Sequence, residues 1–279
     1  MEYSIYPDKI VISGLEDFNI SHILECGQVF RFEKTDIGYN VYSLDKKATV
    51  LTDYDRDMAT IYTNDTSYFV KYFDLDTSYS DIKSRLKNFN LDFLTSAIDK
   101  YYGIRILHQD IYEAFFSFMI SQNNNIKRIQ KIINSLCTIY GKKMDGYYAF
   151  PTLDTLKCIT KQQFMDIGLG YRADYFVKTL QKIDGDTLYN LADLSKEELK
   201  KELTKFCGVG EKVADCVMLF GYSKPYSFPC DVWIEKMYNQ YFGEEKNRDV
   251  ISKKLVSLFG DLSGYAQQYL FFYIRTLGK

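Results

Sequence analysis

Lys212 and Asp231 are the two residues of this chain whose types and surroundings best suit them to chemistry. Lys212 stands among Val209, Val213 and Ala214, near the start of an apolar helix. The positive end of a helix and apolar neighbours both favour a neutral amine, and a neutral lysine amine is a nucleophile. Asp231 lies in Pro229-Cys-Asp231. Its carboxylate could stabilise a developing positive charge, or could simply cap the helix that follows. A second pair is Gln267 and Phe271, four residues apart and so on one face of a helix. A phenyl ring to stack on an extruded base, beside an amide that both donates and accepts, suits base recognition. The plainer alternative is a core Phe next to an exposed Gln.

The elements that must position these residues can be read around them. Ser195 followed by Glu198 is a capping box, and Leu199, Leu203 and Phe206 recur at helical spacing, so a helix is expected from Ser195 to Phe206. Cys207-Gly208-Val209-Gly210 breaks it, and Glu211 to Gly221 forms a second helix with almost no polar face. Gly208 and Gly210 both permit positive φ and the close approach of another backbone. The amides opening the second helix point outward, where its dipole favours an anion such as a nucleic acid phosphate. An ordinary helical hairpin would look the same. The third helix, Val232 to Phe242, begins just after Asp231. The second helix is about 16 Å long at 1.5 Å per residue. The connection from Tyr222 to Cys230 can span up to roughly 30 Å. The amine and the carboxylate can therefore meet at one mouth.

On these residues the chain resembles a known family. Leu203, then Cys207-Gly-Val-Gly-x-Lys-Val-Ala-Asp-Cys216, then Lys224-Pro225 and Pro229-x-Asp231, is similar to the helix-hairpin-helix and Gly/Pro-Asp signature of base-excision DNA glycosylases. Lys at 212 with Cys at 216 resembles the 8-oxoguanine DNA glycosylases in particular. The resemblance implies a bifunctional glycosylase and AP lyase that flips 8-oxoguanine out of duplex DNA. Lys212 would form a Schiff base with the sugar, and Asp231 would stabilise the sugar's positive charge. Cys26-Gly-Gln-Val-Phe-Arg-Phe32 resembles the family's Gly-Gln-x-Phe-Arg segment, which implies that the carbonyl of Gly27 accepts the proton that oxidised guanine carries and guanine lacks. Gln267 and Phe271 match the family's Ala-Gln-x-x-Leu-Phe run, and Cys216 would close the base pocket on the opposite face. Asn123-Asn-Asn125 with Arg128 implies that Asn123 fills the hole left in the duplex and Arg128 contacts the orphaned cytosine. In Gly168-Leu-Gly-Tyr171-Arg172-Ala, Tyr171 would be a wedge between bases and Arg172 a second reader of cytosine. Gly208, Val209 and Gly210 would bind DNA phosphate. Without the resemblance, Gly27 is a turn glycine, the asparagines are cap and turn residues, Arg128 is solvated and the Tyr171-Arg172 turn is a helix cap.

Composition bounds this reading. A chain of 279 residues that is 46% hydrophobic can bury a substantial core. The expected fold is α+β. An antiparallel-sheet domain over 1–100 would precede a mostly α-helical domain pair over 101–279, with the hairpin at about 195–221. Strands are expected at Ile10-Val-Ile, Val29 to Phe32, Tyr39 to Tyr42, Ala48 to Leu51 and Ala59 to Tyr62, and helices from Ser67 to Phe73 and from Tyr79 through Tyr102. Beyond these, helices are expected from Asp110 to Gln122, from Ile126 to Tyr140 and, last, from Gly264 to Leu277. No apolar run approaches a membrane span, and the start lacks a signal-peptide pattern, so a cytoplasmic, nucleoid-associated monomer is expected. Cysteines at 26, 137, 158, 207, 216 and 230 contain no C-x-x-C, which argues for reduced thiols without zinc or an iron–sulfur cluster. No cofactor is expected, although a structural cation at the hairpin carbonyls is compatible with the reading. A net charge of −2 weighs against nucleic acid as a partner, and predicts weak non-specific binding if backbone amides and a few arginines do the holding.

Two departures stand out. Where animal members pair a histidine with an aspartate, this chain has Trp233 and Ile274. Two other activities fit part of the pattern. One is a non-catalytic helix-hairpin-helix DNA-binding module; the other is an enzyme of the same fold that removes alkylated bases with water as nucleophile. Lys212 argues against the second.

Overall fold

The structure, a computed structural model, describes residues 1–278. Alternating apolar and polar side chains lay down an antiparallel sheet from β1 (Glu2–Ile5), β2 (Lys9–Ser13), β3 (Phe32–Lys34), β4 (Tyr39–Ser43), β5 (Lys46–Asp53) and β6 (Met58–Thr63). The strand order is β1-β2-β6-β5-β4-β3. Register builds one apolar row across four strands, with Ile10 opposite Ile61, Ile61 opposite Val50, and Val50 opposite Tyr39. Because side chains alternate faces, Ile12, Ala59, Ala48 and Val41 join the same face. That face is buried with α1 (Ile20–Glu25) and α2 (Thr66–Tyr72).

Three expectations for this region are corrected. Glu2–Ile5 is a strand that the alternation did not reveal, because it is an edge strand with no buried residue. Val29-Phe30-Arg31 is not a strand: all three are buried in succession, at 3%, 6% and 8% exposure, and only Phe32 begins β3. Residues 79–102 form two helices, α3 (Tyr79–Lys87) and α4 (Asp92–Lys100), divided where Asn90 takes φ 54°. Asn tolerates the left-handed region better than most residues, which lets the chain reverse there.

The remaining elements are α5 (Ile111–Ser121), α6 (Ile126–Tyr140), α7 (Leu153–Cys158), α8 (Lys161–Asp166), α9 (Arg172–Leu180), α10 (Lys196–Leu203), α11 (Glu211–Phe220), α12 (Val232–Tyr241), α13 (Arg248–Phe259) and α14 (Ser263–Leu277). Asp110 caps α5, Asn125 caps α6, and the Ser195–Glu198 capping box opens α10. α10 stops at Leu203 rather than at Phe206, which enters the turn and packs its ring edge-on to Phe115 at 5.4 Å.

Three apolar cores result. One lies under the sheet, a second joins α5 through α11, and a third joins α3 and α4 to α12, α13 and α14. Buried polar groups tie the first to the second. Arg31 donates to both carboxylate oxygens of Glu113 on α5 and to the carbonyl of Tyr148. Breaking one partner of so buried a pair would leave a charge without compensation. Among the described residues, no helix is long and apolar enough to cross a membrane.

Candidate active site

The hairpin between α10 and α11 sets the position of the lysine. Gly208 takes φ 82°, and a Cβ there would stand 2.4 Å from the ring of Tyr175, so the turn needs glycine for both backbone and room. Gly210 departs from expectation. It is extended, at φ −88° and ψ 178°, and its contribution is open space, with nothing within 4 Å of an added Cβ. Val209 between them is buried and pins the turn to the core. Lys200 on α10 reaches Glu211 at 2.7 Å and Asp215 at 3.1 Å, clasping the two helices.

Lys212 follows in the first turn of α11, half-buried, its Nζ 5.9 Å from the centroid of the Phe118 ring. One turn further along is Cys216. Burial pushes its thiol up to about 11, with Lys212 pulling the other way and Asp215 and Asp231 adding to the rise. The thiol therefore stays neutral near pH 7 and is a poor rival nucleophile. Asp231 caps α12: its Oδ1 accepts from the amides of Trp233 at 3.0 Å and Ile234 at 3.1 Å. Among the described residues Oδ2 has no hydrogen-bond partner.

Lys212 and Asp231 line one cleft of about 790 Å³, together with Gly210 and Cys216. Gly27, Gln267 and Phe271 line the same cleft, as do Asn123 and Tyr171. Gly27 takes φ 91°, next to the edge of the Phe271 ring. Gln267 is 5% exposed, donates weakly to the Pro229 carbonyl at 3.3 Å, and leaves its Oε1 buried without a partner. An unpaired buried acceptor is costly unless a ligand satisfies it. Asn123 is exposed at φ 43°, and Tyr171 is 52% exposed.

Gly208 and Val209 support the cleft without lining it, and Arg128 lies outside it, exposed, with Nη2 3.5 Å from the Gly168 carbonyl. Arg172, expected as a second reader of cytosine, is not free to meet a base in this arrangement. It is 2% exposed, and its guanidinium donates to the carbonyls of Gln122, Asn123 and Leu169. In this arrangement it shapes the Gln122–Asn123 turn; reading a base would require those bonds to open. Trp233 packs its ring against the end of α14 at Gly278.

Sequence reasoning missed the residues that hold Gly27. Gln28 donates to the carbonyls of Ile23 and Arg105 and accepts from Leu107, and Gln109 donates to the carbonyl of Gln28. Gln268 and Arg275 on α14 reach the carbonyls of Cys26 and Glu25. Arg275 sits one turn beyond Phe271 on the stripe started by Gln267, a spacing that could have drawn attention to it. Among the described residues no group of three or more His, Cys, Asp or Glu could hold a metal ion.

Comparison with known proteins places this geometry. Residues 10–115 match the model of the 8-oxoguanine DNA glycosylase N-terminal domain, and residues 116–260 match that of the HhH-GPD superfamily base excision DNA repair proteins. An N-glycosylase/DNA lyase of Saccharomyces cerevisiae is 31% identical over 253 residues, covering 74% of this chain and 65% of the yeast protein. One of Arabidopsis thaliana is 32% identical over 187 residues, covering 61% of this chain and 51% of the plant protein. The chain thus spans between half and two thirds of the length of these relatives. The Clostridium acetobutylicum 8-oxoguanine glycosylase/lyase, solved with double-stranded DNA containing cytosine opposite 8-oxoguanine, superposes with a TM-score of 0.92 at 34% identity, covering 100% of this chain and 99% of that one. A helix-hairpin-helix that delivers a lysine, an aspartate that opens the next helix, and a sheet domain that delivers a glycine to the same cleft together place this chain in the HhH-GPD superfamily of base excision DNA repair proteins, with the N-terminal domain of the 8-oxoguanine DNA glycosylases.

Proposed function

We propose that this protein is a bifunctional DNA glycosylase and AP lyase that excises 8-oxoguanine from duplex DNA and nicks the strand. One observation carries the reading: the amine of Lys212 and the carboxylate of Asp231 share a cleft with Gln267 and Phe271, a stacking ring beside an unpaired amide acceptor. Inside a duplex the anomeric carbon is out of reach, so the nucleotide must leave the stack. The base then lies along Phe271, with Cys216 across the cleft. Gln267 offers its free Oε1 to the N–H donors of guanine's pairing edge, and the carbonyl of Gly27 accepts the N7 proton of the oxidised base. Asp231 stabilises the positive charge that grows on the sugar as the base departs. The amine of Lys212 forms a bond to the anomeric carbon while the carbon–nitrogen bond to the base breaks, and the departing base takes up a proton. Ring opening gives a Schiff base, and loss of a 2′ proton expels the 3′ phosphate, nicking the strand.

Duplex DNA is the partner. The amides of Gly208 and Gly210, which have no partner among the described residues, receive a phosphate, Asn123 and Tyr171 occupy the space the nucleotide leaves, and Arg128 meets the opposite cytosine. A water-using enzyme has no need of an amine in the pocket, and a non-catalytic binder has no need of the pocket.

Incubation with a duplex carrying 8-oxoguanine opposite cytosine tests the reading. Free 8-oxoguanine and a nicked strand are expected, with less product opposite adenine. Release of alkylated purines instead, or binding with no base release, would overturn it.

A further inference from the structure

Arg275 lies in the last third of α14, on the stripe that carries Gln267 and Phe271 at intervals of four residues. It is 8% exposed. Its guanidinium carbon stands 5.1 Å from the centroid of the Phe271 ring, and Nη2 donates to the Glu25 carbonyl at 2.5 Å. Nη1 occupies the place of the side chain that residue 27 lacks: a Cβ on Gly27 would be 2.7 Å from it. Gln268, one helical position after Gln267, donates to the Cys26 carbonyl at 3.2 Å. Two successive carbonyls of the turn, at residues 25 and 26, are thus gripped from α14, and the next carbonyl belongs to Gly27. Arg275 does not itself line the cleft. Burying a guanidinium with Nε and Nη1 unpaired is expensive, and a role confined to packing would be filled better by an apolar side chain.

We propose that Arg275 is a positioning residue for lesion recognition: it locks the Gly27 turn to the back of Phe271, so that the group reading the oxidised edge of the base and the ring on which the base stacks move as one body. Gln268 supplies the second tie. This rests on the proposed 8-oxoguanine excision. A cation against the rear of the Phe271 ring is an electrostatic contact as well as a steric one. It fixes the ring plane at the height set by the turn. A shift of about 1 Å between the two readers would cost on the order of 100-fold in a step that depends on both.

The test separates base recognition from strand nicking, because an abasic site requires Lys212 but presents no base to read. In Arg275→Leu, excision of 8-oxoguanine is expected to fall about 10- to 100-fold, while nicking of a pre-formed abasic site stays within about twofold. Arg275→Lys keeps the charge and a donor, and is expected to recover part of the loss. Parallel loss of both activities, or no loss of either, would overturn the proposal. If the leucine variant does not fold, Arg275→Lys carries the test alone, with a smaller split of about threefold in the same direction expected. A wild-type protein that nicks abasic sites yet never releases 8-oxoguanine would instead defeat the functional reading on which the proposal rests.

Discussion

At the residue scale, the charge role proposed for Asp231 can be separated from its role as a cap. Its Oδ1 caps α12 through two amides, and its charge faces the cleft that also holds Lys212. Asparagine caps a helix about as well as aspartate but carries no charge. Asp231→Asn is therefore expected to change unfolding stability by no more than about 0.5 kcal/mol. It should slow base excision by about 100- to 1,000-fold, the size of one lost transition-state charge contact. Thermal melts and single-turnover excision rates check both halves. Unchanged excision would reduce Asp231 to a cap. The Lys–Asp pair was legible because both residues sit beside helix starts that glycine and proline announce, Gly210 before α11 and Pro229 before α12. The cysteine nearby was singled out only by the family resemblance, and burial keeps its thiol out of the competition.

At the scale of elements, α1 shows how a segment with no part in the chemistry still places it. It runs into the Gly27 turn, and its His22 packs edge-on to Tyr101 at 5.3 Å and Tyr102 at 5.2 Å. Burial lowers the imidazole from its ordinary 6.5 to about 4, against a small opposing pull from Glu25. Above pH 6.5 the ring is neutral in both folded and unfolded chains, and its contribution to stability is full. Between pH 6.5 and 4 only the unfolded chain takes up the proton, so stability falls as pH falls; below 4 the loss is complete. Since water reaches part of the ring, the loss is about 1–2 kcal/mol rather than the full value of the shift. His22→Phe should keep the edge-on packing and flatten this limb in a plot of melting temperature against pH. An unchanged limb would assign the acid sensitivity elsewhere. Periodicity and caps made most helices legible, α6 to the residue. Val29-Phe30-Arg31 misled because a buried turn between core elements has no face to alternate, and β1 was silent because its edge position buries nothing.

At the scale of the whole molecule, the cleft draws from segments far apart in the chain: the turn after α1, the α5–α6 junction, the start of α11, the cap of α12 and the face of α14. Each could be found in the sequence as a local pattern. Their convergence could be bounded by helix length and linker reach for Lys212 and Asp231, and for the others it followed only from the family resemblance. What stayed hidden is the set of long-range polar ties, Gln28 to residues 105 and 107, Arg31 to Glu113, and Arg275 to Glu25, because partners so far apart leave no local pattern. With a net charge of −2, the proposed DNA binding rests on placed groups rather than a basic surface: the amides of Gly208 and Gly210 and the exposed ring of Tyr171. The central claim, that Lys212 attacks the sugar, has a direct measurement. Borohydride reduction during reaction with an 8-oxoguanine duplex should leave a covalent protein–DNA adduct that peptide mapping places on Lys212, and Lys212→Gln should abolish it and slow excision by at least about 1,000-fold. Base release without any trappable adduct, or an adduct that persists in Lys212→Gln, would contradict the account.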